Sequence, residues 1–371
     1  MGMSDLAVHR SSAAGSPGQV RVAVDAMGGD YAPTEIVRGA MQASCAAGVH
    51  VLLVGDPDRV NEELKRTSCR QACVSVIPAS DLITMGEKPT QAFRSKPDAS
   101  ITVAMRLLAE AKADALISAG NTGAMVTSAC LILGRLEGIE RPAITAVIPT
   151  PTGRIVLLDA GANLDVGPQH LLHFALMGTA FARCALGVHD PRIGLLNVGA
   201  EASKGSNDLR EAYSLLSNSA VNFVGNVEGG DITGGKADVI VCDGYVGNVV
   251  LKHSEGWSKA VLKMLRSEVG RNPLAWPGYL PLAIAASRLQ ARLGSTHYGG
   301  AVLLGVRGLC VKSRGNSRAA GVRNAVAAAV SLVKSCLMDR VREELAMQRP
   351  PPDRTGDPST CGPADMTRER R

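Results

Sequence analysis

Short, nearly continuous apolar runs alternate along this chain with longer Ala- and Leu-rich stretches. The runs at 20–24, 51–54, 115–118, 155–158, 193–198 and 239–241 are rich in β-branched residues. Strands covered on both faces have that pattern. Helices are predicted between them over 33–47, 100–112, 122–133, 169–186 and 208–217, with one long Ala-rich helix over about 317–345 closing the fold. Regular strand–helix alternation predicts an α/β fold, with a mostly parallel sheet covered by helices on both sides. No internal repeat is visible.

The ends of the chain read differently. Residues 1–19 lack an apolar signal core and read as a flexible polar extension, and 348–371 are rich in Pro, Arg and Asp and read as a disordered tail. The expected catalytic unit is therefore a single α/β/α domain over 20–347.

Composition narrows the function classes. The 371 residues are 46% hydrophobic and 20% charged, an ordinary globular balance, with a net charge of +6. A mild basic excess suits an anionic substrate, an acidic partner or an anionic membrane surface. No basic stripe with interleaved aromatics is present, which argues against nucleic acid. The nine cysteines form no Cys-x-x-Cys pair and no histidine cluster stands near them, so neither a zinc site nor a disulfide framework is expected. A reducing cytoplasm fits best.

The candidate chemistry sits where strands end. Repeatedly a strand runs into Gly, Asp and Asn and then into a helix, and open α/β sheets bind ligands at those carboxyl ends. Free N–H groups and a positive helix N-terminus favour anions there. In the first such turn, Asp25, Gly28, Gly29 and Asp30 either orient substrate or hold the loop by hydrogen bonds. In the second, Gly120, Asn121, Thr122 and Gly123 form a potential phosphate or oxyanion cradle; the Lys-Ser/Thr ending of a Walker loop is absent. A third turn carries Asp159 and Asn163, and a fourth Asn197 with Lys204. Asn226 stands in a fifth. The sixth holds Asp243 and Gly244 and leads to Asn248 and Lys252, four apart and so on one face of a helix. A last turn contains His297, Gly299 and Gly300. Asn121, Asn248 and Lys252 are the candidate catalytic groups, and the other residues of these turns, His297 excepted, are candidate substrate ligands.

No Gly-x-Ser-x-Gly elbow is present, and no Cys has a plausible His and Asn setting. If phosphate itself is the nucleophile, none is needed. The protein then has to bind phosphate beside the electrophile, exclude water and stabilise the oxyanion.

Taken together, the blocks at 22–33, 113–125, 138–143, 157–165, 193–199, 222–228, 237–252 and 298–305 resemble the phosphate acyltransferases of bacterial phospholipid synthesis. The resemblance runs from about Arg21 to Ala346. It implies a Rossmann-like three-layer fold akin to isocitrate dehydrogenases and phosphotransacetylases, and transfer of a fatty acyl group from acyl carrier protein to inorganic phosphate. It further implies a homodimer, no metal or other cofactor, a cytoplasmic location with peripheral membrane contact, and a membrane glycerol-3-phosphate acyltransferase as downstream partner. Several positions depart from the family pattern: Ala160 for Val, Ala200 for Thr, Gly230 for Arg, Arg314 for His, and Gly294-Ser295 for an acidic–aromatic pair. No role is assigned at those positions.

A CoA-dependent phosphotransacetylase-like enzyme is an alternative, and a non-catalytic membrane scaffold is another, although a scaffold need not keep the Gly and Asn cradles. A dinucleotide enzyme is disfavoured, because Gly28-Gly29 lacks the Gly-x-Gly-x-x-Gly spacing. Residues 254–296 read as a protruding amphipathic element. Trp257, Val261, Met264 and Leu265 recur at helical spacing while Lys259, Lys263 and Arg266 point elsewhere. Pro273, Pro277 and Pro281 break the uncharged half beyond Arg271, which is too short to span a bilayer. This element is expected to face a membrane, the carrier protein or a second subunit.

Overall fold

The computed structural model describes residues 19–67, 72–271 and 299–347. Its strands fall into two sheets. The first contains β1 (Arg21–Asp25), β2 (His50–Gly55), β3 (Cys73–Pro78), β4 (Ala115–Ser118), β5 (Ala143–Ile144), β11 (Ala301–Leu304) and β12 (Cys310–Lys312), in the order β3-β2-β1-β4-β12-β11-β5. The second contains β6 (Ala146–Thr150), β7 (Gly153–Leu158), β8 (Ile193–Leu196), β9 (Phe223–Val227) and β10 (Val239–Val241), in the order β6-β7-β10-β8-β9. Pairing is parallel except at β5–β11, β11–β12 and β6–β7. The fold is thus α/β and mostly parallel.

The sheets are joined edge to edge, where β5 at the end of the first runs on into β6 at the end of the second. Ala160 N–H, just past β7, donates to the Ile144 carbonyl of β5, and Ile144 N–H donates to the Asp159 carboxylate. Packing continues the join. Val22 and Val24 of β1 share one apolar core with Val156 and Leu158 of β7, while the alternate residues Ala23 and Leu157 share the other. That is the period-2 facing of strands buried on both sides. Helix α6 (Pro168–Phe181) is buried over nearly its whole length, from Leu171 to Phe181, as expected of a helix apolar on all faces.

The remaining helices are α1 (Thr34–Ala47), α2 (Pro57–Arg66), α3 (Pro89–Ser95), α4 (Ser100–Ala109), α5 (Thr122–Ser128), α7 (Asn207–Ser217), α8 (Gly244–Arg271), α9 (Ala319–Lys334) and α10 (Leu337–Met347). α5 and α6 each run on into a π-helical turn, so their expected ends at Leu133 and Leu186 are met. The long closing helix is instead two helices, α9 and α10, bent by 53°. Cys336 between them has φ 53°, and a left-handed residue cannot continue an α-helix. Neither Gly nor Pro marks that break. No single described helix is long and apolar enough to cross a membrane. One thiol departs from expectation: Cys45, on α1, is disulfide-bonded.

Candidate active site

A cavity of about 780 Å³ lies where the two sheets meet, in the size range of small-molecule sites. Parallel strands of both sheets deliver their carboxyl ends to it. Asp30 comes from the loop after β1, Thr122 from the start of α5, and Ala160 and Gly161 from the turn after β7. Asn248, Leu251, Lys252 and Glu255 project from α8. Lys312, Ser313, Arg314 and Gly315 follow β12, and Gly299 and Gly300 precede β11. Met85, Ile144, Val147 and Ala301 add apolar wall.

The β1 turn is held by Asp25, which is 2% exposed. Its carboxylate accepts from Ser100 Oγ at 2.6 Å, Ser118 Oγ at 2.7 Å and Met27 N–H at 3.3 Å. Burial pushes its pKa up, while the Ser100 and Ser118 hydrogen bonds oppose that rise. Asp25 therefore holds the loop rather than lining the cavity. A Cβ at Gly28 would stand 2.4 Å from Asp25 Oδ2 and 2.7 Å from Gly120 N, so the β1 and β4 turns touch through glycine backbone.

Asn121 caps α5: its Oδ1 accepts from Ala124 N–H at 3.1 Å. Its Nδ2 faces the carbonyls of Thr84, Met85 and Glu87 at 3.1–3.4 Å. That amide pins the 84–87 loop to the helix start, and Thr122 beside it lines the cavity. Gly123 packs against Pro89.

The β7 turn is organised by Asp159, which is fully buried. Its carboxylate accepts from the N–H groups of Ile144, Gly161, Ala162 and Asn163 and from Asn163 Nδ2, at 2.7–3.1 Å. Asn163 also donates to the Pro142 carbonyl. Gly244 N–H donates to Asn163 O, and Asp243 caps α8 by accepting from Val246 N–H. Together these bonds fix the origin of α8, which then carries Asn248 and Lys252 into the cavity on one face. Asn248 lies over Gly161, whose Cβ, if added, would be 3.4 Å from Asn248 Cβ.

Two further cations line the cavity beside Lys252, and neither Lys312 nor Arg314 is among the candidates that the sequence pattern singles out. Lys312 ends β12, opposite Ser118 of β4 in the register. It is only partly exposed, and its pKa is lowered to about 8, chiefly by burial and in part by Lys252, against the opposing pull of Asp25 and Asp30. Its Nζ is bonded to the Ser313 carbonyl. Arg314, one of the departures from the family pattern, is paired with Glu255, which also lies 3.9 Å from Lys252 Nζ. Lys252, Lys312 and Arg314 thus surround the cavity with Asp30 and Glu255 as counter-charges. A short apolar strand ending in Lys gives no local cue for Lys312; only the spacing to Gly315-Asn316 hints at another strand-end turn.

A separate group gathers at β8 and β9 and does not line this cavity. Asn197 donates to the Lys204 carbonyl, and Asn226 donates to the Glu201 carbonyl while its Oδ1 is buried without a partner. Lys204 itself is exposed. His297 lies outside the described residues.

No histidine lines the cavity among the described residues. Cys310, which opens β12, and Cys242, just past β10, are buried thiols: burial pushes Cys310 up to about 12 and Cys242 well above its ordinary value. Such thiols stay protonated at neutral pH. The arrangement can bind an anion against an apolar wall, and among the described lining residues the hydroxyls of Ser313 and Ser317 bond to each other with no histidine beside them.

A family model described as "Fatty acid synthesis protein" matches residues 20–340. The chain is 44% identical over 333 residues to a phosphate acyltransferase of Desulforamulus reducens, covering 88% of this chain and 97% of that one. It is 43% identical over 331 residues to a phosphate acyltransferase of Trichodesmium erythraeum, with 88% and 97% covered. Among solved structures it is similar in fold to a phosphotransacetylase from Streptococcus pyogenes (TM-score 0.58, 18% identity, 86% of this chain and 94% of that one). A branched-chain phosphotransacylase from Enterococcus faecalis is comparable (TM-score 0.54, 16% identity, 85% and 99%).

Proposed function

This chain belongs to the phosphate acyltransferase family and is an acyltransferase of fatty acid synthesis, and from that premise we propose that it moves a fatty acyl group from acyl carrier protein to inorganic phosphate, releasing acyl phosphate. The observation that carries the reading is the cavity at the sheet junction, where Lys252, Lys312 and Arg314 face an apolar wall. A small dianion beside an acyl group is what such a lining suits.

Phosphate is held by Lys252 and Lys312 and by the N-terminus of α5 at Thr122. Arg314, fixed by Glu255, adds a third positive group. The phosphate oxygen attacks the thioester carbonyl directly, a reading supported by the buried, protonated state of the Cys242 and Cys310 thiols. In this reading Asn248, which lies over Gly161, donates to the oxyanion, a contribution worth about 3 kcal/mol for one such donor. Asn121, Asp25, Asp159, Asn163, Asp243 and Gly244 act by positioning: they set the two turns and the root of α8.

The described part of the amphipathic element supports its proposed docking role. Trp257, Val261 and Met264 on α8 are 57%, 43% and 58% exposed, and His253 stacks on Trp257. Trp276, Tyr279 and the rest of 272–296 lie outside the described residues. We assign this face to a homodimer partner or to an anionic membrane surface, next to which an amphiphilic product is released to a membrane acyltransferase.

The deciding experiment is acyl-phosphate formation by purified protein from acyl carrier protein and phosphate, beside the same assay with acyl-CoA. Turnover with the carrier donor is expected. Turnover with acyl-CoA alone would transfer the assignment to a CoA-dependent phosphotransacylase, and turnover with neither would leave a scaffold.

A further inference from the structure

Lys312 has a setting that phosphate binding alone does not require. Strand β12 lies inside the first sheet, between β4 and β11, so its last residue is rooted in a rigid element rather than on a surface helix. Ser313 N–H donates to the Ser118 carbonyl, which locks the end of β12 to the end of β4. Ser118 in turn donates to the buried Asp25 carboxylate. The ammonium is thus placed by backbone register near the Asp25 side chain, with Asp30 on the β1 loop and Lys252 on α8 as its other titratable neighbours. Lys252 differs: its side chain is 69% exposed on α8. One lysine is built as a solvated anion ligand and the other as a desolvated one.

The reaction proposed above has a proton to move. Hydrogenphosphate attacks the acyl carbon, the new C–O bond forms, the C–S bond breaks, and the sulfur leaves as a thiolate. The net change is acyl thioester plus HPO₄²⁻ giving acyl phosphate dianion plus thiol, so the phosphate's own proton must reach the sulfur. Resting on that reading of the reaction, we propose that Lys312 is the proton relay: its ammonium protonates the departing sulfur, and the resulting amine takes the proton from the attacking phosphate. The group returns to its starting state, and no further reactant is required. Proton transfer works best with a donor whose pKa lies near the working pH. Burial holds Lys312 at about 8, close to the value of an ordinary thiol. Arg314 cannot serve, because a guanidinium does not release its proton in this range.

The test compares wild type with Lys312→Arg and Lys312→Met, using acyl carrier protein and phosphate as substrates, with kcat and the phosphate KM measured from pH 6 to 10. A relay predicts that kcat falls by roughly a hundredfold or more in both variants, while the phosphate KM of Lys312→Arg stays within about threefold of wild type. It also predicts that the wild-type loss of kcat above a pH of about 8 disappears in both variants. Thermal melts confirm that the variants are folded, and Lys312→Arg keeps the charge if Lys312→Met does not hold its structure. Near-normal kcat in Lys312→Arg, or a raised phosphate KM at unchanged kcat in Lys312→Met, would reduce Lys312 to an anion ligand and overturn the proposal. An alkaline limb that persists in Lys312→Arg would do the same. If wild type makes no acyl phosphate at all, the reaction assignment fails first, which is a distinct result from an active wild type with an equally active arginine variant.

Discussion

Gly247 of α8 lies so close to Asp159 that a Cβ on the glycine would stand 1.8 Å from the Asp159 carbonyl oxygen. The helix that carries Asn248 and Lys252 is therefore seated against the turn that ends β7, backbone to backbone. Gly247→Ala must push the two apart. The expected result is a loss of about 1–3 kcal/mol or more in urea unfolding, together with loss of transfer activity. Gly256, farther along the same helix, has nothing within 4 Å of its missing Cβ. Gly256→Ala should stabilise by up to about 1 kcal/mol through helix propensity. Equal effects of the two changes would contradict the seating.

Asp159 gathers the N–H groups of four residues and the Asn163 amide on one buried carboxylate. Asp159→Asn puts an NH₂ among donors and leaves several of them unpaired. Hydrogen bonds to a charged group are worth about 1.5–3 kcal/mol each, so a loss of several kcal/mol is expected, read by chemical denaturation. Activity should fall even at temperatures where the variant remains folded. A variant with wild-type stability would show that the turn holds without the charge.

Lys252 makes only a 3.9 Å contact with Glu255, and its side chain is 69% exposed. Such a pair contributes at most about 1 kcal/mol to folding. Lys252→Ala should therefore melt within a few degrees of wild type yet lose roughly a hundredfold in kcat/KM for phosphate. Near-normal turnover at limiting phosphate would remove Lys252 from the site.

The pH dependence of stability should carry the signature of Lys312. Burial lowers its pKa from the ordinary 10.5 to about 8. Between those values the unfolded chain binds a proton that the folded chain does not, so stability rises with pH across the window. The contribution is complete above the unfolded value and is lost as pH falls through about 8. Lys312→Met abolishes the dependence and should be more stable than wild type at pH 7, by on the order of 3 kcal/mol. Urea titrations at pH 7 and pH 10 check this: a difference between the two proteins that does not change with pH would be inconsistent with a desolvated lysine.

Direct attack by phosphate leaves no acyl-enzyme. Incubation with radiolabelled acyl carrier protein in the absence of phosphate, followed by denaturation, should leave the protein unlabelled. Stoichiometric label on a serine or cysteine, Ser313 and Ser317 in the cavity wall included, would establish a covalent route.

The sequence alone determined the strands that are buried on both faces, β1, β2, β4, β7, β8 and β10, because covering by two helical layers forces continuous apolar runs that no surface segment shows. It also determined the strand-end turns with their Gly, Asp and Asn residues, since tight turns and close backbone approach restrict the residue types locally. The tertiary structure decided how those turns divide. Asp25 and Asp159 look like ligands in sequence, but converging N–H and hydroxyl donors make them internal anchors, and those donors come from residues as distant as Ser100 and Ile144. Asn121 is likewise claimed by the carbonyls of the 84–87 loop. Asn197, Lys204 and Asn226 share a sheet with the cavity but stand at other strands. The short strands β5, β11 and β12 carry too few residues to show a period, and the pairings of β5 with β11 and of β12 with β4 reach across more than a hundred positions. That pairing puts Lys312 opposite Ser118 and close to Asp25. No local pattern encodes it, because the register of a parallel strand is set by its neighbours and not by its own three residues.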